Sequence, residues 1–324
     1  MREEVLKVEN LRTHLYTEDE ILRAVDDVSI SVCKEEMVAL VGESGCGKTM
    51  TALSIMRLEP LTAQIVSGRI YFKGEDILRF SPKEMHAIRG GKIAMIYQDP
   101  MTYLNPLLRI GTQVAESLVL HYRLKDAEAR QKVLETFHLL GIPSPERVAE
   151  SFPHQLSGGM RQRVLISMAF ICRPDLLIAD EPTTALDVSI QAQILDLLNR
   201  TRKELRTSVL LITHDLGLVA EYCDRVYVMY AGKIVEHGTV FAIFESPKHP
   251  YTMGLLRSSL RPDRHAVQFE TIEGEVPSLI DLPSGCHFHP RCTYSMEKCG
   301  REEPPLFDAG EGHFLSCWIR SEGH

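Results

Sequence analysis

Along the 324-residue chain the spacing of apolar and polar residues changes several times, and each change predicts a different kind of element. Near the start it alternates, through Val5-Leu6-Lys7-Val8, Leu11 to Tyr16, Ala24-Val25 and Val28-Ser29-Ile30-Ser31-Val32, as antiparallel strands with one covered face do. Met37-Val38-Ala39-Leu40 is a short buried strand, Met50 to Arg57 a helix, and Gly68 to Gly74 a strand between turns. From Gly111 to His154 the period becomes helical, with Val114, Leu118 and Val119 in one segment and Val133, Leu134, Phe137 and Leu140 in another, ended by Gly141 and Pro143. Three further apolar runs, Ile93 to Ile96, Leu176 to Ala179 and Ser208 to Ile212, read as buried strands. Helices opening after Leu156 and spanning Ile190 to Leu205 separate them. Val226 to Met229 and Lys233 to His237 form a hairpin about Ala231-Gly232. Strands alternating with helices predict an α/β fold, here with an antiparallel covering sheet before the core and a helical insertion within it.

Charge and composition narrow the picture. Thirty-six Lys and Arg against 44 Asp and Glu leave a net charge of -8, and no block of like charge would suit DNA or anionic lipid, so nucleic acid is not expected as a partner. The N-terminus lacks an apolar signal core, and every 18-residue window holds charge or proline; even Val164 to Ile178 is interrupted by Arg173, Pro174 and Asp175. The expectation is a soluble, cytoplasmic chain that reaches a membrane only through partners. Of eight cysteines, Cys286, Cys292, Cys299 and Cys317 crowd the end, where prolines also gather, which places a boundary near Ser246 between a domain of residues 1–245 and an extension of residues 246–324.

The chemistry centres on Gly42-Glu43-Ser44-Gly45-Cys46-Gly47-Lys48-Thr49, which spells G-x-x-x-x-G-K-[ST] between the Met37–Leu40 strand and a helix. Its glycines let successive amides point into one cavity, the helix presents its positive end, Lys48 reaches terminal phosphates and Thr49 supplies a hydroxyl for magnesium. Other candidates sit at strand ends. Gln98 follows Ile93–Ile96, Asp180 and Glu181 end Leu176–Ala179, and His214 ends Ser208–Ile212, which is where open α/β sheets hold ligands. Adjacent acids ending an apolar strand are costly unless they hold a cation or move a proton. Ser157-Gly158-Gly159 opens a helix as a second anion-binding terminus, although capping is the commoner use of such a serine. Tyr16 is placed to stack on an adenine ring, or simply to pack on a strand surface.

In this order, Gly42 to Thr49, Gln98, Leu156 to Met160, Leu176 to Glu181, Ala185 to Asp187 and His214 resemble the ATP-binding cassette ATPases of ABC transporters. The resemblance covers Met1 to about Glu245. Tyr97 to Pro106 and His249-Pro250-Tyr251-Thr252 are similar to the dipeptide and oligopeptide importer ATPases, as is the tail around His289-Pro290-Arg291-Cys292. It implies a P-loop core with an antiparallel β-subdomain and a helical subdomain at about residues 99–173, plus a small Cys-rich extension. By position it assigns ATP to Tyr16, Gly42, Ser44, Gly45, Cys46, Gly47, Lys48, Thr49, Met50 and Gln98, and from the signature side to Ser157, Gly158, Gly159 and Asp187. Magnesium falls to Thr49, Gln98 and Asp180. Glu181 polarises the attacking water and His214 contacts the γ-phosphate. Met160 departs from the signature, which commonly has Gln there. The implied partners are a second cassette ATPase, two membrane permease subunits and an extracytoplasmic solute-binding protein, with this chain peripheral on the cytoplasmic face of the inner membrane. Nickel, glutathione or sugar-peptide importers share these motifs, and soluble cassettes of DNA repair or translation are the rival from another class.

Four tail thiols suit either tetrahedral zinc or an iron–sulfur cluster. The paired spacing usual in zinc sites is absent, while His287, His289 and His313 keep zinc open. The resemblance to importer ATPases favours a [4Fe-4S] cluster on Cys286, Cys292, Cys299 and Cys317.

Overall fold

The computed structural model describes residues 3–98, 103–183, 188–259 and 272–319, and the statements below concern those residues. In chain order the strands are β1 (Glu4–Tyr16), β2 (Ile21–Cys33), β3 (Met37–Val41), β4 (Ala63–Phe72), β5 (Glu75–Asp76), β6 (Ile93–Ile96), β7 (Leu176–Asp180), β8 (Ser208–Thr213), β9 (Arg225–Tyr230), β10 (Lys233–Thr239), β11 (Phe307–Asp308) and β12 (Phe314–Leu315). Two compact units share them. The first comprises residues 1–5, 32–36 and 79–211, the second residues 6–31, 37–78 and 212–324. The boundary expected near Ser246 falls inside the second unit.

In the first unit β8, β7 and β6 lie side by side, with β6 parallel to β7 from Ile93↔Leu176 to Ile96↔Ala179. The helices Ile110–Tyr122, Asp126–Leu139, Pro145–Glu150 and Gly158–Phe170 pack on Val114, Leu118, Val133, Phe137, Ile166 and Phe170, all buried. The apolar period read in Gly111 to His154 is thus a helical core. A helix at Pro82–Ile88 was not anticipated, although Ser81 and Glu84 form a capping box that the Ser-x-x-Glu spacing signals.

In the second unit β3 is buried along its length and pairs in parallel with β9. The hairpin β9–β10 turns at Ala231 (φ 42) and Gly232 (φ 87), the left-handed pair that a two-residue hairpin requires. The order β2-β1-β4-β5 makes the covering sheet. Its first strand runs unbroken over Glu4–Tyr16, where two runs were expected, because a bulge between Glu9 and Arg12 absorbs the break in alternation. Opposite that bulge Gly68 has φ 102, and a Cβ there would lie 2.6 Å from Leu11 Cα, so this position admits only glycine.

The tail has little regular structure of its own and folds on strands laid down earlier. β12 pairs with β10, β11 with β12, and Phe288 packs among Tyr230 and Tyr251 with ring centroids 5.1 and 5.4 Å away. Such aromatic pairs add about 0.5–1.5 kcal/mol each beyond the area they bury.

Candidate nucleotide site

β3 delivers the chain directly into Gly42. A Cβ on Gly42 would lie 2.1 Å from Met229 O, and one on Gly47 2.1 Å from Ala24 O, so both glycines let the loop lie against neighbouring backbone. Gly45 (φ 78) faces open space, and its requirement is conformational. The loop ends at the helix Lys48–Met56, whose N-cap Gly47 offers no side-chain cap. The first-turn amides and the positive end of the helix therefore stand ready for an anion. Lys48 is buried and curls back over the loop, its Nζ donating to Gly42 O at 2.8 Å and Glu43 O at 2.9 Å, with Cys46 Sγ at 3.7 Å. Burial pushes the Cys46 thiol up, against the pull of the Lys48 charge. Ser44, Gly45 and Thr49 are exposed at the mouth of the loop and Met50 is half-buried. An uncapped helix start, curled amides and one ammonium fit a polyphosphate. In the same unit His214 is exposed just past the end of β8, and Tyr16 is the last residue of β1, 38% exposed.

The first unit carries the acidic group. Parallel pairing brings the ends of β6 and β7 level, so Gln98, two residues past β6, reaches the residue after β7: its Nε2 donates to Glu181 Oε2 at 3.0 Å. Asp180 is buried at the end of β7, and Glu181 adopts φ 44, which turns the chain sharply there. Ser157 is the N-cap of the helix Gly158–Phe170 and accepts from Met160 N at 3.4 Å. It thus performs the ordinary capping role; Gly158 and Gly159 form the first turn. Asp187 lies outside the described residues.

The tail corrects one expectation. Among the described residues no group of three or more His, Cys, Asp or Glu side chains is placed to hold a metal ion, which overturns the iron–sulfur assignment and its zinc alternative. Cys286, Cys292, Cys299 and Cys317 line one small pocket with Phe288, Tyr294 and Trp318. Burial pushes the thiols of Cys286 and Cys317 up to about 11 and raises that of Cys292. Of the tail histidines, His287 Nδ1 bonds Ala231 O and His289 Nδ1 bonds Cys286 O, each at 2.9 Å, and His313 Nε2 bonds Glu236 Oε1 at 2.7 Å.

Three residues at the loop escaped the sequence reading. Glu43 N donates to Tyr251 Oη at 2.9 Å, and the Glu43 carboxylate meets Arg291 at 2.9 and 3.2 Å. Tyr251 and Arg291 stand inside the two motifs that mark the importer resemblance, but nothing in their spacing announces a contact with residue 43.

Residues 25–184 match the ABC transporter family, and residues 235–299 match the oligopeptide/dipeptide transporter C-terminal region. Over 321 residues the chain is 49% identical to the dipeptide transport ATP-binding protein DppD of Bacillus subtilis (strain 168), covering 99% of this chain and 96% of that protein. It is 44% identical to the oligopeptide transport ATP-binding protein OppD of Salmonella typhimurium, covering 97% and 93%. A dimeric structure of the ATP-binding cassette MJ0796 in a post-hydrolysis state bound to ADP and Pi superimposes with TM-score 0.65 and 28% identity, over 72% of this chain and 98% of that one.

Proposed function

We propose, from the premise that this chain belongs to the ATP-binding proteins of ABC peptide transporters, that it hydrolyses ATP to drive import of di- and oligopeptides through a membrane permease. The observation that carries the reading is the loop Gly42–Thr49, folded for a polyphosphate in a chain whose residues 235–299 match the peptide-transporter C-terminal region. ATP with magnesium supplies the phosphoryl group and neutralises the charge that builds on it. The loop amides and Lys48 hold the phosphates, with Ser44 and Cys46 contributing from within the loop and Met50 from the first turn of the helix. Thr49, Gln98 and Asp180 hold the metal, Tyr16 the base, and His214 the terminal phosphate. Glu181 accepts the proton of the attacking water, and the hydrogen bond from Gln98 orients its carboxylate for that task.

Ser157, Gly158, Gly159 and Asp187 serve the nucleotide of a second cassette, so the working unit is a dimer of this chain with itself or a related ATPase. The helical part of the first unit supports a permease partner. A groove of about 670 Å³ there is lined by Leu108, Val119, Leu120, Ala129 and Val133 together with Arg109, Glu116, Asp126, Arg130 and Glu150, and suits a short amphipathic helix from the membrane subunit. Among the described residues no helix is long and apolar enough to cross a membrane, which accords with a peripheral place at the permease. An extracytoplasmic solute-binding protein would deliver the peptide, and the extension from residue 246 marks the peptide-importing branch. The test is uptake of a labelled peptide in cells carrying the wild-type chain or Lys48→Ala. Equal uptake in the two would end the proposal.

A further inference from the structure

We propose that Arg291 is a positioning residue for ATP binding: it neutralises Glu43 and holds the phosphate loop from the C-terminal extension. The inference rests on the reading that Gly42–Thr49 binds ATP.

Glu43 is the second residue of that loop, and it places a carboxylate where the fold otherwise gathers positive groups for an anion. Left unpaired, this charge would repel a polyphosphate and weaken the loop's hold on it. Arg291 meets it with two prongs, Nη1 to Oε2 at 2.9 Å and Nη2 to Oε1 at 3.2 Å, the forked geometry that holds a carboxylate in one orientation. The arginine is itself fixed. Its side chain is 6% exposed, its Nε donates to Glu273 O at 3.0 Å and Nη2 to Ile272 O at 3.3 Å, and its guanidinium lies 5.8 Å from the Tyr230 ring centroid. The backbone of Glu43 is held as well, since its N–H donates to the hydroxyl of buried Tyr251 at 2.9 Å. Its carbonyl in turn accepts from Lys48 Nζ at 2.9 Å. Arg291, Glu43 and Lys48 thus form one connected line from the extension to the ammonium assigned to the phosphates.

The experiment measures ATP affinity of the full chain by titration calorimetry for wild type, R291A, E43Q, the E43Q/R291A pair and, as control, Lys48→Ala. Thermal melts of the ligand-free chains accompany it. R291A should weaken ATP roughly tenfold, the share of one charge-assisted contact. E43Q/R291A should recover most of that loss, because without the carboxylate no counter-charge is needed. A packing role alone would give no such recovery. R291A binding as tightly as wild type would overturn the proposal, and so would a loss that E43Q leaves uncorrected. Should R291A fail to fold, R291K decides: it keeps the charge without the fork and should bind ATP measurably less tightly than wild type, and equality would refute the positioning role. Wild type that binds no ATP, or binds it equally well as Lys48→Ala, would remove the loop assignment itself, an outcome distinct from either refutation.

Discussion

Acidification should loosen the second unit through His249. The ring is 1% exposed, Nδ1 accepts from Tyr251 N at 3.1 Å, and Phe288 lies 5.8 Å away between centroids. The neighbouring Glu236 is occupied by the backbone N–H groups of Lys248 and His249 and by His313. Burial lowers the His249 pKa from 6.5 to about 4, with the Glu236 charge opposing only in part. A folded pKa below the unfolded one means that the unfolded chain takes up the proton first as pH falls. The stabilisation is whole above about pH 6.5 and is lost progressively down to about pH 4. At about pH 5 this single site costs on the order of 2 kcal/mol relative to neutral pH. His237, stacked between Tyr227 and Phe314 and likewise lowered to about 4 by burial, acts in the same direction. Burial alone would raise the Glu236 carboxyl, but its bonds to His313, Thr252, Lys248 and His249 hold it below its ordinary value of 4.5, so its own contribution starts to be lost only near that pH, at the acid end of this window, and is nearly whole at about pH 5. The single tryptophan, Trp318, sits in the tail under Lys298 at 3.6 Å from its ring centroid, so urea unfolding followed by its emission reports on this unit. Wild type should unfold at lower urea at about pH 5 than at neutral pH, and His249→Asn should show a markedly smaller difference. If the variant kept the full wild-type pH difference, the buried neutral histidine would not be its source.

Glu181→Gln should leave ATP affinity within a few-fold while lowering turnover by about 10²–10⁴, since the amide keeps its hydrogen bond to Gln98 but accepts no proton. Steady-state hydrolysis near wild type with partners present would sink that role. Ser157→Arg should leave nucleotide affinity of the isolated chain unchanged yet block transport; a loss of binding as deep as that of Lys48→Ala would show that the serine serves its own chain's nucleotide. Gly68→Ala, forced to φ 102 with its Cβ at 2.6 Å from Leu11 Cα, should destabilise the chain by more than about 1 kcal/mol in a urea titration. An unchanged midpoint would mean that the bulge at Asn10 relaxes freely.

Some of this protein was written in short stretches of sequence. The phosphate loop was legible because everything that makes it is adjacent: five buried residues of β3, glycines at Gly42, Gly45 and Gly47, and a helix that begins at Lys48. Gln98 and Asp180 were legible for a similar reason, since an apolar run that stops at a polar residue marks the end of a buried strand. Ser157 shows the limit of such reading. Its spacing fitted both a cap and a ligand contact, and the observed bond to Met160 N belongs to the cap.

What only the tertiary structure decided lies in pairings across long separations. Gln98 meets Glu181 because β6 and β7 run parallel, and neither residue's neighbours state that register. Glu43 finds Tyr251 and Arg291 because the tail folds onto β9 and β10, and the tail can do so only where β10 presents a free edge to β12 and Tyr230 offers a ring to Phe288. The spacing of Cys286, Cys292, Cys299 and Cys317 suggested a metal because thiols close in sequence often share one. The tertiary structure decided otherwise: the four thiols line a small pocket with Phe288, Tyr294 and Trp318, and among the described residues no group of three or more His, Cys, Asp or Glu side chains is placed to hold a metal ion. A local window sets the conformation of the few residues inside it. Which distant groups meet depends on closing long loops and packing shapes together, and no window contains that free energy.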